Sequence, residues 1–308
     1  MTSGYGRSTS YAEVLAQIGE ENDAVFALDA DLPGRTRLFA KRFPDRYMQA
    51  GIAEQNIMSI ASGLAARGKV PIVHIMAPFG TMRSFEQIRT DIAYARRNVK
   101  IVGACGGLSG GPWGPTHHTI EDIALMRVIP GMSVILPCNE AEQAAALRAA
   151  VAHDGPVYIR QPGPAGRKID LPDSFQIGKG IHLREGKNIA LLTTGNLLAD
   201  CLDAADDLSK DGIEIAVVHL PTVKPMDEAL LGEIASEHDR IVTVEEHSVI
   251  GGLGGAVAEF LCEHGGLPVH RIGIPDCFCE VTGSYEQLKD RYGLGARAIA
   301  ERIRSLCS

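Results

Sequence analysis

Residues 51 to 56 read Gly51-Ile52-Ala53-Glu54-Gln55-Asn56 and begin the helical pattern from which the rest of the chain can be interpreted. Apolar and small residues then recur at positions 57, 60, 61, 64 and 65, which is the spacing of one buried helix face. Glu54 stands at the start of this face. A glutamate in this position can have a structural role, in which it caps the helix or forms an ion pair. Alternatively it takes part in chemistry in an apolar pocket, where burial favours its protonated form.

Short apolar runs alternate with helical patterns on both sides of this segment. Strands are predicted over residues 24–28, 70–76, 99–104, 133–136 and 156–160, and helices near residues 11–20, 54–67, 82–96, 119–128 and 139–152. Continuous apolar strands that are separated by helices are typical of a parallel sheet covered on both faces.

The alternation stops between Gln161 and about Gly186, where Pro and Gly cluster and the periodicity is lost. A second series of strands and helices follows this interruption. The sequence therefore predicts an α/β protein with two α/β domains and mainly parallel sheets. The first domain is expected at residues 1–165, a linker at residues 166–186 and the second domain at residues 187–308.

Composition excludes several classes of function. The formal net charge of −8 gives no basic surface for nucleic acid, and no apolar run is long enough to span a membrane. The first residues lack the apolar core of a signal peptide, and the seven cysteines are scattered without a metal-binding spacing. We therefore expect a cytoplasmic protein with free thiols and no metal ligands of its own.

Further motifs occur before and after the Glu54 segment. They are Ala30-Asp31-Leu32, Phe85, Gly114-Pro115-Thr116-His117, Arg160-Gln161-Pro162 and Glu245-Glu246-His247. In this order and spacing, the chain resembles the C-terminal half of transketolases. It is more closely similar to the small subunit of transketolases that are split over two chains. The resemblance covers nearly the whole sequence and implies a pyrimidine-binding domain followed by a transketolase C-terminal domain.

The resemblance implies a thiamine diphosphate site. Glu54 matches the glutamate that activates the aminopyrimidine ring, and Asp31 matches an aspartate near the thiazolium ring, although Asp31 is also a plausible turn residue. Phe85 matches an aromatic residue that stacks on the pyrimidine, although a phenylalanine on a helix can equally belong to the core. Many relatives carry further aromatic residues at the positions of Met82 and Ile88. We expect Ile88 to line a less aromatic cofactor pocket.

A glycine- and proline-rich segment at residues 106–118 is expected to form an exposed loop. His117 matches the family's histidine that contacts the oxygens of the donor substrate and helps to move protons, which suits a side chain that titrates near neutrality. The role of His118 stays open between the substrate site and the start of the next helix.

Two residues of this segment depart from ordinary sugar-phosphate transketolases. Cys105 stands where those enzymes have a histidine, and Trp113 stands where they have an acidic residue. Arg160 matches an arginine that binds the substrate phosphate, and Arg35 falls near the same group. An arginine fork suits phosphate, sulfonate or carboxylate. The resemblance therefore implies an anionic sugar substrate, with a preference shifted from the standard pentose phosphates.

The chain has no Gly-Asp-Gly motif, which in this family holds the cofactor diphosphate through Mg²⁺. The resemblance implies that a separate partner subunit supplies this motif and the Mg²⁺ ligands, in a heterotetramer with two sites. The Gly-rich stretch after Glu245-Glu246-His247 matches a structural and dimer-contact feature, and anion binding at the helix that follows it is the alternative.

Two other functions remain open at this point. One is the β-subunit of the E1 component of a 2-oxo acid dehydrogenase, which shares the length, the fold and the glutamate. The other is a transketolase-like interaction protein without catalytic activity. The Gly-Pro-Thr-His loop favours transketolase over the first. The retention of Asp31, Glu54, Phe85 and His117 argues against the second.

Overall fold

The computed structural model describes residues 10–164, 167–172 and 174–307. In its first half the helices and strands are α1 (Tyr11–Glu21), β1 (Val25–Asp29), α2 (Pro33–Arg42), β2 (Tyr47–Gln49), α3 (Glu54–Ala66), β3 (Val70–Met76), α4 (Phe85–Gln87), β4 (Lys100–Ala104), α5 (Asp122–Val128), β5 (Ser133–Ile135), α6 (Glu140–Ala152) and β6 (Val157–Arg160). Wider, π-helical turns at Phe79–Arg83 and Ile88–Tyr94 flank the short helix α4.

The second half repeats the alternation of strands and helices. Its elements are β7 (Ile181–Arg184), β8 (Ile189–Thr193), α7 (Leu198–Lys210), β9 (Ala216–His219), β10 (Thr222–Lys224), α8 (Glu228–Glu237), β11 (Arg240–Ser248), α9 (Leu253–Glu263), β12 (Val269–Ile274), α10 (Tyr285–Arg291) and α11 (Ala296–Cys307).

The strands form two sheets. The first has the order β10-β5-β6-β4-β3-β1-β2 and the second has the order β12-β11-β8-β9-β7. All pairings are parallel except β10 with β5 and β7 with β9. The prediction of two α/β domains with mainly parallel sheets is therefore confirmed.

Buried apolar strands account for this architecture. Strand β4 is buried along its whole length, and so is β8. One core cluster holds Leu28, Ile57 and Ile88, which join β1, α3 and the turn after α4. Helices cover both faces of each sheet because only then are such strands removed from water.

Local signals fix several helix ends. Ser10 and Glu13 form a capping box at α1, in which the Ser10 side chain accepts from the Glu13 N–H and the Glu13 carboxylate accepts from the Ser10 N–H. Asn139 caps α6 by accepting from the backbone N–H of Glu142. These caps satisfy backbone donors that have no partner inside the helix.

The segment that we expected to be a linker contains strand β7, which pairs antiparallel with β9 at the edge of the second sheet. This strand was not predicted because Ile181–Arg184 is flanked by glycines and four residues are too few to show a periodic pattern. The first expected boundary, between residues 165 and 166, falls on two residues outside the described part of the chain. The domain limits therefore stay a prediction.

Among the described residues, the helices fall short of the length and apolar character that a bilayer crossing requires.

Candidate active site

Glu54 is the first residue of α3, and its side chain is 6% exposed. It does not cap the helix, because Ala53 holds the cap position and no side-chain cap bond is formed there. Its carboxylate instead forms an ion pair with Arg83, at 2.9 Å between Oε2 and Nη1. Of the roles considered for Glu54 from the sequence, the structure shows the ion pair and not the helix cap, and the carboxylate in that pair is buried.

The π-helical turn at Phe79–Arg83 positions the partner of Glu54. Phe79 and Arg83 are four residues apart on this turn, and the Arg83 guanidinium carbon lies 4.6 Å from the centroid of the Phe79 ring. The Arg83 side chain is 48% exposed. Such turns occur frequently at functional sites. Neither Phe79 nor Arg83 was singled out from the sequence, although both flank Phe85 by only a few residues.

The expected loop brings His117 to the same place. Reciprocal backbone hydrogen bonds between Gly107 and Thr119 close its base, at 2.9 and 2.8 Å. The ring centroid of His117 lies 5.2 Å from that of Phe79, edge to face, and 5.6 Å from that of Trp113. Trp113 itself is 58% exposed. The structure therefore joins Glu54, through Arg83 and Phe79, to His117 and Trp113 in one continuous surface.

His118 faces away from this surface. Its side chain is buried, and its Nδ1 donates to the backbone carbonyl of Cys279 at 3.0 Å. The contact ties the loop to the second half of the chain. Of the two open alternatives for His118, the structure favours a structural one.

Phe85 and Ile88 differ in their surroundings. Phe85 is half-buried and packs against the edge of the core that contains Ile57. Ile88 is fully buried in that core. A cofactor contact by Ile88 stays a prediction that its complete burial does not favour, whereas Phe85 keeps an open face.

Asp31 and Cys105 follow the carboxyl ends of β1 and β4 in the first sheet, where ligands bind in open α/β folds. Both have a left-handed backbone, with φ of 62° and 59°. Non-glycine residues in this conformation are strained and cluster at functional sites. Asp31 is exposed. Burial raises the pKa of the Cys105 thiol, although the charge of Arg35 opposes the rise.

A second aspartate, Asp29, ends β1 two residues before Asp31 and was missed in the sequence. It is fully buried and accepts a hydrogen bond from the Thr36 hydroxyl at 2.6 Å and one from the backbone N–H of Leu32. The signal that could have identified it is its position as the last residue of a buried strand. Asp29 holds the turn in shape, which leaves Asp31 at the surface.

Arg35 lies on α2 and is partly exposed. Its Nη1 is 3.8 Å from a carboxylate oxygen of Glu140. When the Gln161 amide is oriented with its oxygen toward Arg35, that oxygen accepts from Nη2 at 2.7 Å. Arg35 is thus held by Glu140 and Gln161 with part of its side chain open to solvent.

Arg160, the other expected anion-binding residue, is buried in an ion pair. Its Nε donates to Asp122 at 2.9 Å, its Nη2 donates to the other oxygen of Asp122, and its Nη1 donates to the backbone carbonyl of Glu246 at 2.9 Å. The Tyr158 hydroxyl donates to Asp122 at 2.6 Å. These bonds join the first sheet to β11 of the second. A substrate role for Arg160 stays a prediction that these contacts do not favour, because they hold its guanidinium at the junction between the two sheets.

Comparison with known proteins identifies the family. The sequence pattern of the transketolase pyrimidine-binding domain matches residues 6–168, and that of the transketolase C-terminal domain matches residues 178–299. The chain belongs to the transketolase family. The resemblance drawn from its motifs is therefore confirmed.

Relatives within the transketolase family include subunits of split enzymes. The chain is 41% identical over 293 residues to the 6-deoxy-6-sulfo-D-fructose transketolase subunit of Clostridium sp. (strain MSTE9), covering 94% of this chain and 91% of that protein. It is 36% identical over 296 residues to a subunit of the apulose-4-phosphate transketolase of Phocaeicola vulgatus, covering 95% and 94%. A solved structure described as a split gene transketolase, inactive beta4 tetramer, superposes with a TM-score of 0.86 at 41% identity, covering 96% of this chain and 95% of that one.

The Glu245-Glu246-His247 segment of this transketolase-family chain is buried at the interdomain junction. Glu245 accepts from the backbone N–H groups of Leu253 and Gly254, at 2.7 and 2.9 Å, at the start of α9. The protein's own carboxylate thus occupies the helix terminus that was the alternative anion site. Burial raises the pKa of Glu245 to about 7, despite the opposing effect of these bonds.

A buried cluster of Cys138, Glu142 and His219 joins the two halves at another point. The His219 Nε2 lies 3.1 and 3.0 Å from the two carboxylate oxygens of Glu142, and the Cys138 backbone N–H donates to one of them at 2.7 Å. The three side chains could hold a metal ion by type and proximity. Both carboxylate oxygens already have protein partners, so we interpret the cluster as a hydrogen-bonded link between α6 and β9. The pKa of Glu142 is lowered because the charge and hydrogen bonds of His219 outweigh the effect of burial.

Proposed function

We propose that this chain is the small, β-type subunit of a two-component transketolase, which transfers a two-carbon ketol unit from an anionic ketose to an aldehyde acceptor with thiamine diphosphate. The observation that carries the proposal is Glu54, a buried carboxylate at the start of α3 that does not cap its helix and that pairs with Arg83, whose guanidinium lies over Phe79 beside His117. A purely structural chain has no need for a buried acid in this place.

The residues fit the pyrimidine end of the cofactor. Glu54 would share a proton with the aminopyrimidine ring, and the half-buried Phe85 would stack against it. Asp31 would lie near the thiazolium. When bound, thiamine diphosphate would supply the nucleophilic carbon for a two-carbon transfer. His117, partly exposed and held by a hydrogen bond between its Nδ1 and the Thr116 hydroxyl at 2.9 Å, would orient the donor oxygens and move protons.

The proposal of a partner subunit rests on the missing Gly-Asp-Gly motif. With no Gly-Asp-Gly motif in the chain, the Mg²⁺ ligands and the diphosphate site would come from a second polypeptide, in a heterotetramer in the cytoplasm. The similar split gene transketolase structure is described as an inactive beta4 tetramer, which supports a requirement for the other subunit.

The substrate would be a ketose with a terminal anion other than the standard pentose phosphates. Trp113 and Cys105 replace the acidic residue and the histidine of ordinary transketolases, and Arg35 offers a partly exposed guanidinium whose charge acts on Cys105. The assembled complex should be tested with 6-deoxy-6-sulfo-D-fructose, apulose 4-phosphate and xylulose 5-phosphate as donors. Turnover of xylulose 5-phosphate with ribose 5-phosphate at ordinary transketolase efficiency would refute the shifted preference.

Glu54→Gln tests the catalytic proposal. We expect the variant to assemble with the partner subunit and to lose about 10²- to 10⁴-fold in kcat, which is the usual contribution of a positioned acid or base. Glu86→Gln is the matched control, because Glu86 is an exposed carboxylate on the adjacent helix α4. Equal activity of Glu54→Gln and the control would end the catalytic assignment. Acyl transfer to a lipoylated domain without ketol transfer would instead support the E1-type alternative.

A further inference from the structure

Glu54 and Arg83 form an isolated pair. Within the described part of the chain, Arg83 is the ionic partner of the Glu54 carboxylate, and no other side chain or backbone group donates a hydrogen bond to it. A buried carboxylate is costly without a compensating charge. Arg83 therefore provides the main compensation for the charge of Glu54.

The guanidinium also fills the space in front of the acid. Arg83 contacts the Glu54 carboxylate at 2.9 Å and lies over the Phe79 ring at 4.6 Å, so it stands between the acid and the aromatic surface that leads to His117. Nearly half of its side chain is exposed, so it can leave this position without disturbing the core.

The two roles of Glu54 are in conflict while Arg83 is present. Arg83 contacts the same carboxylate that would have to exchange a proton with an aminopyrimidine ring. The ring and the guanidinium would also compete for the same face of the carboxylate. We propose that Arg83 is a positioning residue that neutralises Glu54 in the cofactor-free subunit and is displaced when the aminopyrimidine ring of thiamine diphosphate binds. This inference rests on the proposed function.

The contact can be tested first without cofactor. A double-mutant cycle with Arg83→Gln and Glu54→Gln measures their coupling in the urea-induced unfolding of the isolated chain. Because Arg83 is half exposed, we expect a coupling equivalent to about a two- to tenfold change in the unfolding constant. A coupling indistinguishable from zero would overturn the inference at its first step.

The exchange is tested in the complex with the partner subunit, by calorimetric titration with thiamine diphosphate and Mg²⁺. Arg83→Gln should bind the cofactor about two- to tenfold more tightly than the unmodified chain, because no ion pair has to be broken. Arg83→Lys should restore part of the competition. Arg89→Gln, an exposed arginine on the following turn, should leave the affinity unchanged.

The outcomes separate the inference from the proposed function. If the unmodified complex binds the cofactor and Arg83→Gln binds it equally or more weakly, then Arg83 either contributes to cofactor binding or has no effect on it. In that case the inference about Arg83 is wrong and the proposed function still stands. If the unmodified complex takes up no cofactor, both the proposed function and this inference fail. Tighter binding by Arg83→Gln, with Arg89→Gln unchanged, supports the displacement.

Discussion

Replacement of Asp122 by Asn tests the interdomain junction that holds Arg160. Asp122 is fully buried and accepts from Arg160 and from the Tyr158 hydroxyl. Burial alone would raise the pKa of Asp122, but the Arg160 charge outweighs it and lowers the pKa. The neutral amide would leave the Arg160 guanidinium in the interior without its counter-ion.

The magnitude follows from the burial of both partners. Breaking a buried ion pair by removing one charge costs about 3–5 kcal/mol, because the other charge is left uncompensated. The asparagine oxygen can still accept one of the former bonds, so we expect a loss of about 3 kcal/mol. Since the folded-state pKa of Asp122 is lowered, its contribution is present at neutral pH and is lost as the pH falls below the ordinary value of 3.8.

The assay is urea-induced unfolding at pH 7, followed by circular dichroism. Asp206→Asn is the control, since Asp206 pairs with arginines at the surface and should cost less than about 1 kcal/mol. In the assembled complex, the KM for the sugar donor should not change in the Asp122→Asn variant. A loss below about 0.5 kcal/mol together with an altered KM would refute the account, because Arg160 would then serve the substrate rather than the junction.

Two further variants test the charges buried between the domains. The pKa of Glu245 is raised from its ordinary value of 4.5 to about 7, so its contribution to stability is full below pH 4.5 and is lost as the pH rises toward 7. One pKa unit corresponds to about 1.4 kcal/mol. The free energy of unfolding of Glu245→Gln, measured in urea, should therefore rise by about 3 kcal/mol relative to that of the unmodified chain between pH 4.5 and pH 8. A difference that stays constant with pH would show that Glu245 does not titrate in this range. The pKa of Glu142 is lowered by His219, so that pair stabilises the fold above pH 4.5 and loses its effect in acid. Glu142→Gln should therefore lower the free energy of unfolding more at pH 7 than at pH 3, and an equal loss at both pH values would contradict the electrostatic link.

Local patterns predicted most of the fold. Buried strands such as β3 and β4 are continuous apolar runs, and the helices between them show one apolar face, so the parallel two-sheet architecture could be read from the sequence. Strands β7 and β10 could not be predicted from the sequence. Both are short, and each is defined by its antiparallel partner, β9 or β5, which lies far away in the sequence.

The candidate site shows the same division. Glu54, His117 and Trp113 belong to motifs whose residues lie close together in the chain, and the structure gathers them in one surface. Arg83 and Arg160 are arginines whose partners are fixed only by the tertiary fold. Sequence reasoning overlooked the arginine beside Glu54 and could not foresee the burial of Arg160 against Asp122, because the identity of a charged side chain does not reveal its counter-ion.

The central claim is that this chain forms one half of a thiamine-diphosphate enzyme. The most direct test is gentle purification of the native complex, followed by intact mass measurement and determination of bound thiamine diphosphate. The account predicts a stoichiometric partner subunit with a Gly-Asp-Gly motif, together with cofactor and Mg²⁺. An oligomer of this chain alone that holds no cofactor, and takes up none when it is added, would contradict it.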